Sequence, residues 1–227
     1  SAEPNKSIIG CVFKSRNLCE KKTYSKTNES IFCVLVMIKL PAGFKALIFD
    51  LDGTLADTMP IHYKACQLVC NRNGFDFPED YFYQEAGKPT LEVFRNLILK
   101  LGIKNVDGDQ LGIEKEKVFI ELISEVKPLK IVAQIVETHQ GEIPMAIGSG
   151  GQKNTVNLTL KAIGFDGFFD SIITCDDVQY HKPHPETFLK AASEMCVKPH
   201  ECLVFEDGDP GLEAAKLAGM MTIDVRE

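Results

Sequence analysis

Leu47-Ile48-Phe49-Asp50-Leu51-Asp52-Gly53-Thr54 is the stretch on which the fold turns. The apolar run 46–49 shows no polar alternation, the pattern of a strand covered on both faces, as in a parallel sheet between helices. It runs straight into two carboxylates, which puts them at the strand's carboxyl end, where open α/β sheets take their ligands. Asp50 and Asp52 are two apart, so extended geometry points both the same way, and Gly53 lets the chain leave in a turn. Two like charges that close call for a cation or a shared proton. Alone, Asp-Leu-Asp-Gly is also compatible with a solvated turn, so the flanking chain has to decide.

Downstream, Pro60 opens an amphipathic helix with Ile61, Ala65, Leu68 and Val69 on one face, stopped near Asn73-Gly74. Apolar stripes predict two more helices, at 90–101 (Phe94, Leu97, Ile98, Leu101) and 112–126 (Val118, Phe119, Leu122, Ile123, Val126). No buried-strand pattern intervenes, so 58–127 reads as an inserted helical cap with Pro128 marking the return. A helix at 129–139 follows, and from there strands and helices alternate, with strands at 145–148, 171–174, 202–205 and 221–225 and helices at 154–163, 185–195 and 210–218. Such alternation builds right-handed βαβ units. The expected class is α/β: a Rossmann-like doubly wound parallel sheet from 43–57 and 128–227, with an α-helical cap inserted at 58–127.

Composition narrows the function classes. The chain is 44% hydrophobic with a net charge of -7 and no concentrated Lys/Arg stripe, which argues against a nucleic-acid partner. Eight cysteines show no Cys-x-x-Cys and no paired Cys/His spacing, so neither a disulfide framework nor a zinc site is indicated, and a reduced, cytoplasmic protein is the expectation. Residues 1–36 differ from the rest, with six basic residues against three acids and three of the cysteines. Their apolar stretch 31–40 is about half the roughly 20 residues that a membrane helix needs, so no membrane association is expected. Arg16 is the only arginine there and Glu3, Glu20 and Glu29 intervene, unlike a transit peptide. We expect a dispensable N-terminal extension, with the functional protein beginning near Met37, and a monomer.

The strand ends together offer Asp50 and Asp52, Ser149 with Gly150 and Gly151, Lys182, and Glu206 with Asp207. Those groups suit phosphoryl transfer. A hard cation such as magnesium takes carboxylate, phosphate and water oxygens. A carboxylate nucleophile can accept a phosphoryl group, splitting one displacement into two. A hydroxyl, backbone N–H groups and a lysine can hold the phosphate oxygens.

In order, Asp50-Leu51-Asp52-Gly53-Thr54, Ser149, Lys182-Pro183 and Glu206-Asp207 resemble the four signature motifs of the haloacid dehalogenase superfamily. The resemblance runs from about Lys45 to the C-terminus. The helical insertion and His181-Lys182-Pro183-His184-Pro185-Glu186-Thr187-Phe188 resemble its β-phosphoglucomutase-like branch. Met145 to Gly150, Val204 to Asp207 and Asp224-Val225-Arg226 are similar to the fructose-1-phosphate phosphatase members of that branch. The resemblance implies Asp50 as nucleophile and Asp52 as acid/base, and Mg2+ held by Asp50, Asp52 through its carbonyl, Asp207 and Glu206. It further implies Ser149 and Gly150 on the phosphoryl group, Lys182 neutralising it, and His62 positioning substrate or gating Asp52. Lys88, on the cap, is a candidate contact for the sugar or for a second phosphate. The implied activity is magnesium-dependent hydrolysis of a small sugar phosphate. A β-phosphoglucomutase is the alternative, although no arginine precedes Arg95 in the cap loop where the mutases carry one. An inactive sugar-phosphate sensor is a third, minor reading.

Overall fold

The computed structural model describes residues 40–85 and 88–226. The expectations for 1–36 and for a start near Met37 lie outside the described residues. Strand β1 (Ala46–Phe49) is followed by a short strand β2 (Ala56–Asp57) and four helices, α1 (Met59–Arg72), α2 (Glu79–Gln84), α3 (Thr90–Leu101) and α4 (Gly108–Leu122). The return strand β3 (Lys127–Pro128) leads to α5 (Lys130–His139), β4 (Met145–Gly148), α6 (Lys153–Ala162), β5 (Ser171–Ile173), α7 (Glu186–Glu194), β6 (Cys202–Glu206), α8 (Asp209–Leu217) and β7 (Met221–Asp224).

The sheet runs β5-β4-β1-β6-β7 and every pairing in it is parallel. β1 is central and fully buried, as its unbroken apolar run requires. Its alternate residues point to opposite faces. Leu47 and Phe49 join Leu203, Phe205, Met145 and Ile147 in one core layer, while Ala46 and Ile48 join Ala146 and Val204 in the other. There Phe188, Ala191, Ala214 and Ala215 bring α7 and α8 close to the strands. Phe49 stacks on Phe205 with ring centroids 4.9 Å apart. Register does the rest: Phe49 pairs with both Ile147 and Phe205, so Asp50, Gly148 and Glu206 emerge level at one edge.

Beyond β1 the chain turns tightly on Leu51, whose carbonyl accepts from Leu55 N and Ala56 N at 3.1 and 2.8 Å. Gly53 takes φ +86°, and a Cβ there would overlap the Asp207 carboxylate. β2 and β3 then pair antiparallel, Ala56 with Pro128 and Asp57 with Lys127, so the chain enters and leaves the helical insertion side by side. That ribbon and α2 were not expected, because two residues carry no period and a six-residue helix completes too few turns to show one.

Helix α4 begins at Gly108, not at residue 112 as its apolar stripe predicts. Asp107 caps it by accepting from Asp109 N at 2.9 Å. Gly108 and Gly112 lie against Arg95 and Leu91 of α3, where side chains would collide. No described helix is long and apolar enough to cross a membrane. Cys66, Cys70, Cys175 and Cys202 are free thiols.

Candidate active site

Lys182, in the loop between β5 and α7, reaches back over the sheet edge. Its Nζ donates to Asp50 Oδ1 at 2.7 Å and to Glu206 Oε1 at 2.8 Å, and lies 4.7 Å from the Phe188 ring centroid. All three charged side chains are almost fully buried. Burial disfavours the lysine's charge, but the two carboxylates outweigh it and hold Lys182 protonated. Asp50 goes the other way: burial, with Glu206 and Asp52 nearby, pushes its pKa well above the usual carboxylate range despite Lys182. Glu206 Oε2 accepts from Gly208 N at 2.6 Å, and α8 passes so close that only a glycine fits at position 211.

Asp207, one residue on, has its Oδ1 hydrogen-bonded by Thr54 Oγ1 at 2.7 Å. Burial raises its pKa, as does the charge of Glu206. Asp50, Glu206 and Asp207 each offer an oxygen, and these lie within 4.8 Å of one another. Two buried acids and a half-buried one with one lysine among them are short of positive charge, and their all-oxygen donor set fits a hard divalent cation.

Asp52 belongs to a second group, on the side of the helical insertion. Its Oδ1 faces His62 Nε2 of α1 at 3.7 Å. Lys115 of α4 donates to the other ring nitrogen, Nδ1, at 2.9 Å, and to Glu116 Oε1 at 3.0 Å. Phe119, one turn along α4, stacks on the imidazole at 3.8 Å with 14° between the planes. Burial opposes ionisation of Asp52, but His62 and Lys115 outweigh it and its pKa is lowered. Burial lowers the His62 pKa, and the Lys115 charge adds to the effect. An ionised Asp52 therefore faces a neutral imidazole.

Ser149 is buried at the end of β4, its Oγ accepting from Gly151 N at 2.9 Å. A Cβ on Gly151 would stand 3.3 Å from Ser149 Oγ and 3.6 Å from Asp52 Oδ2, so these two strand ends also converge. Gly150 is exposed with open space around its Cα. Of the residues singled out in the sequence, Asp50, Lys182, Glu206 and Asp207 form one cluster and Asp52 with His62 another. Lys88 is not brought to either: it is half exposed and pairs with Glu85 at 2.8 Å. Sequence reading missed Lys115 and Thr54. A signal for Lys115 existed, since it shares a stripe with Leu111, Val118 and Phe119, and a lysine on an apolar helix face is out of place unless paired.

The model of the haloacid dehalogenase-like hydrolase family matches residues 47–225. The chain belongs to that family. Among curated relatives of this hydrolase is a fructose-1-phosphate phosphatase of Escherichia coli (strain K12), 38% identical over 184 residues, which are 81% of this chain and 97% of that protein. A phosphorylated carbohydrates phosphatase of Thermotoga maritima is 31% identical, covering 79% of this chain and 83% of its own length. Among solved structures, a β-phosphoglucomutase of Clostridium difficile superposes with a TM-score of 0.67 at 26% identity, over 80% of this chain and 84% of that one. This haloacid dehalogenase-like hydrolase is an enzyme of the phosphatase kind, built on a parallel sheet with an inserted helical cap.

Proposed function

We propose that this hydrolase is a magnesium-dependent phosphatase of a small phosphorylated sugar, with fructose 1-phosphate the first candidate, working through an aspartyl-phosphate on Asp50. One observation carries the reading: Asp50, Glu206 and Asp207 converge around Lys182 at the edge where Asp52 faces His62. The activities of the two bacterial phosphatases that the chain resembles support the choice of sugar phosphates.

In this reading a carboxylate oxygen of Asp50 bonds to phosphorus while the bond from phosphorus to the sugar oxygen breaks. Asp52, ionised in the free enzyme, takes the proton of the substrate's monoanionic phosphate group and gives it to the departing oxygen. Water then attacks phosphorus, Asp52 takes the water's proton, and the Asp50–phosphorus bond breaks to free inorganic phosphate and the original carboxylate. Magnesium, held by Asp50, Glu206, Asp207 and the Asp52 carbonyl, would neutralise phosphate charge that otherwise repels the nucleophile. Lys182 supplies further positive charge, and Ser149 a hydroxyl for the phosphoryl oxygens. Residues 58–127 act as a cap hinged at the β2–β3 ribbon, closing to exclude bulk water.

The mutase alternative has the structural likeness behind it. Against it, no arginine precedes Arg95 in the cap loop, where the mutases carry one to grip the phosphate that stays on the sugar. Phosphate release from a panel of sugar monophosphates, with and without magnesium, tests the proposal on wild type and Asp50→Asn. Magnesium-dependent release that the variant lacks is expected. Interconversion of hexose 1- and 6-phosphates without net release would overturn it in favour of the mutase.

A further inference from the structure

Lys182 reaches the site from an exposed loop. Among residues 179–184 every neighbour of Lys182 is exposed, yet its ammonium is fixed on Asp50 and Glu206. Ordering such a segment costs conformational entropy, so some group has to hold the backbone that carries the lysine. Glu186, the first residue of α7, is placed to do so. Its Oε1 accepts from Gln179 N at 3.0 Å and its Oε2 from Tyr180 N at 2.9 Å. These two bonds, that of Gln179 first, lower its pKa and keep it ionised.

Lys190, one turn along the same face of α7, donates to the Asp177 carbonyl at 2.7 Å. The helix thus holds the incoming limb of the loop with an anion on its N–H groups and a cation on its carbonyl. Farther out, His184 N donates to His181 O at 2.9 Å, closing the turn in which Lys182 sits. The helix is itself anchored: Phe188 is fully buried against Gly148 at the end of β4, and its ring lies under the Lys182 ammonium. An acid in the first turn of a helix also complements the helix dipole, but any carboxylate there would do that. One oxygen on each of two successive loop N–H groups is a more particular arrangement. We infer that Glu186 is a positioning residue, fixing the loop so that Lys182 meets Asp50 and Glu206. The inference rests on the phosphatase reading above for what Lys182 contributes to turnover, and on the loop geometry alone for where the ammonium lies.

The test reads Lys182 directly. The full chain in magnesium buffer is treated with trace acetic anhydride, and acetylation at each lysine is followed by peptide mass spectrometry beside phosphate release from a panel of sugar monophosphates. In wild type Lys182 should label as slowly as Lys115, which is buried in the cap. Glu186→Gln turns one acceptor into a donor that faces a loop N–H. Lys182 labelling should then rise at least about tenfold, the scale of a lost hydrogen bond to a charged group. Phosphate release should fall about tenfold or more through misplacement. Glu186→Asp keeps the charge at the start of α7 but is a methylene short of the loop, so it should resemble Glu186→Gln. Fast labelling of Lys182 in wild type, unchanged labelling in both variants, or undiminished release overturns the inference. Wild-type behaviour of Glu186→Asp overturns it in favour of the helix dipole. A rise shared equally by Lys115 overturns it in favour of a general loss of stability. If labelling behaves as expected while wild type releases no phosphate, the phosphatase reading falls and the placement of Lys182 by Glu186 stands.

Discussion

Lys115 Nζ lies 2.9 Å from His62 Nδ1. An ammonium group only donates, so Nδ1 is the acceptor and the ring's proton sits on Nε2, the nitrogen that faces Asp52. A lysine on the last cap helix therefore sets the tautomer of a histidine on the first, and with it what the proposed acid/base meets.

Removing that lysine should show in the histidine. Burial and then the Lys115 charge hold the His62 pKa below its ordinary 6.5. Lys115→Met should raise it, read by NMR titration of the imidazole, and lower phosphate release by on the order of 100-fold through misplacement of the acid/base. The sign for stability follows. With the folded pKa depressed, the unfolded chain takes up the proton first as pH falls below 6.5, so this histidine costs stability on acidification. The variant should soften that loss. An unchanged His62 titration would contradict the assignment.

Lys182 is the charge partner of two buried carboxylates. Lys182→Met should cost about 3–5 kcal/mol in urea unfolding without metal, because Asp50 and Glu206 are left buried and unpaired. Magnesium should restore part of it, by supplying the missing positive charge. A loss within the ~0.5 kcal/mol typical of surface changes would mean the lysine is not needed there.

Metal binding should depend on pH in a defined direction. Asp50 and Asp207 have pKa values raised by burial above the ordinary 3.8, so their favourable contribution is full below that pH and is lost as pH rises through the raised values. The cation binds the ionised forms. Saturating magnesium at 100 Kd contributes about 2.7 kcal/mol, so melting temperature should rise by several degrees at pH near 7.5 and little at pH near 4.5. Thr54→Val, which frees Asp207 Oδ1, should weaken magnesium affinity about tenfold by calorimetry. Equal shifts in melting temperature at both pH values would count against the site.

Legibility in the sequence followed the range of the forces involved. Strand β1 and its acids could be read because an unbroken apolar run and a two-residue spacing are local facts. Helices α1, α3 and α4 showed through their stripes, whereas α2 and the β2–β3 ribbon are too short to carry a period. The start of α4 was missed because Asp107 and two glycines set it by capping and by close approach to α3. Lys88 was a candidate substrate contact from its place on the cap, and what the sequence did not show is that it lies beside Glu85, three residues away.

By itself the sequence determined the fold class, the inserted helices, and which carboxylates, serine and lysine end the strands, since these follow from periodicity and order along the chain. Only the tertiary structure decided who meets whom. Parallel register set Asp50 level with Glu206, a loop carried Lys182 across 132 positions to Asp50, and helix packing seated Lys115 against His62. Charge balance and proton position depend on distances of a few ångströms between residues far apart in sequence, and no local pattern encodes those distances.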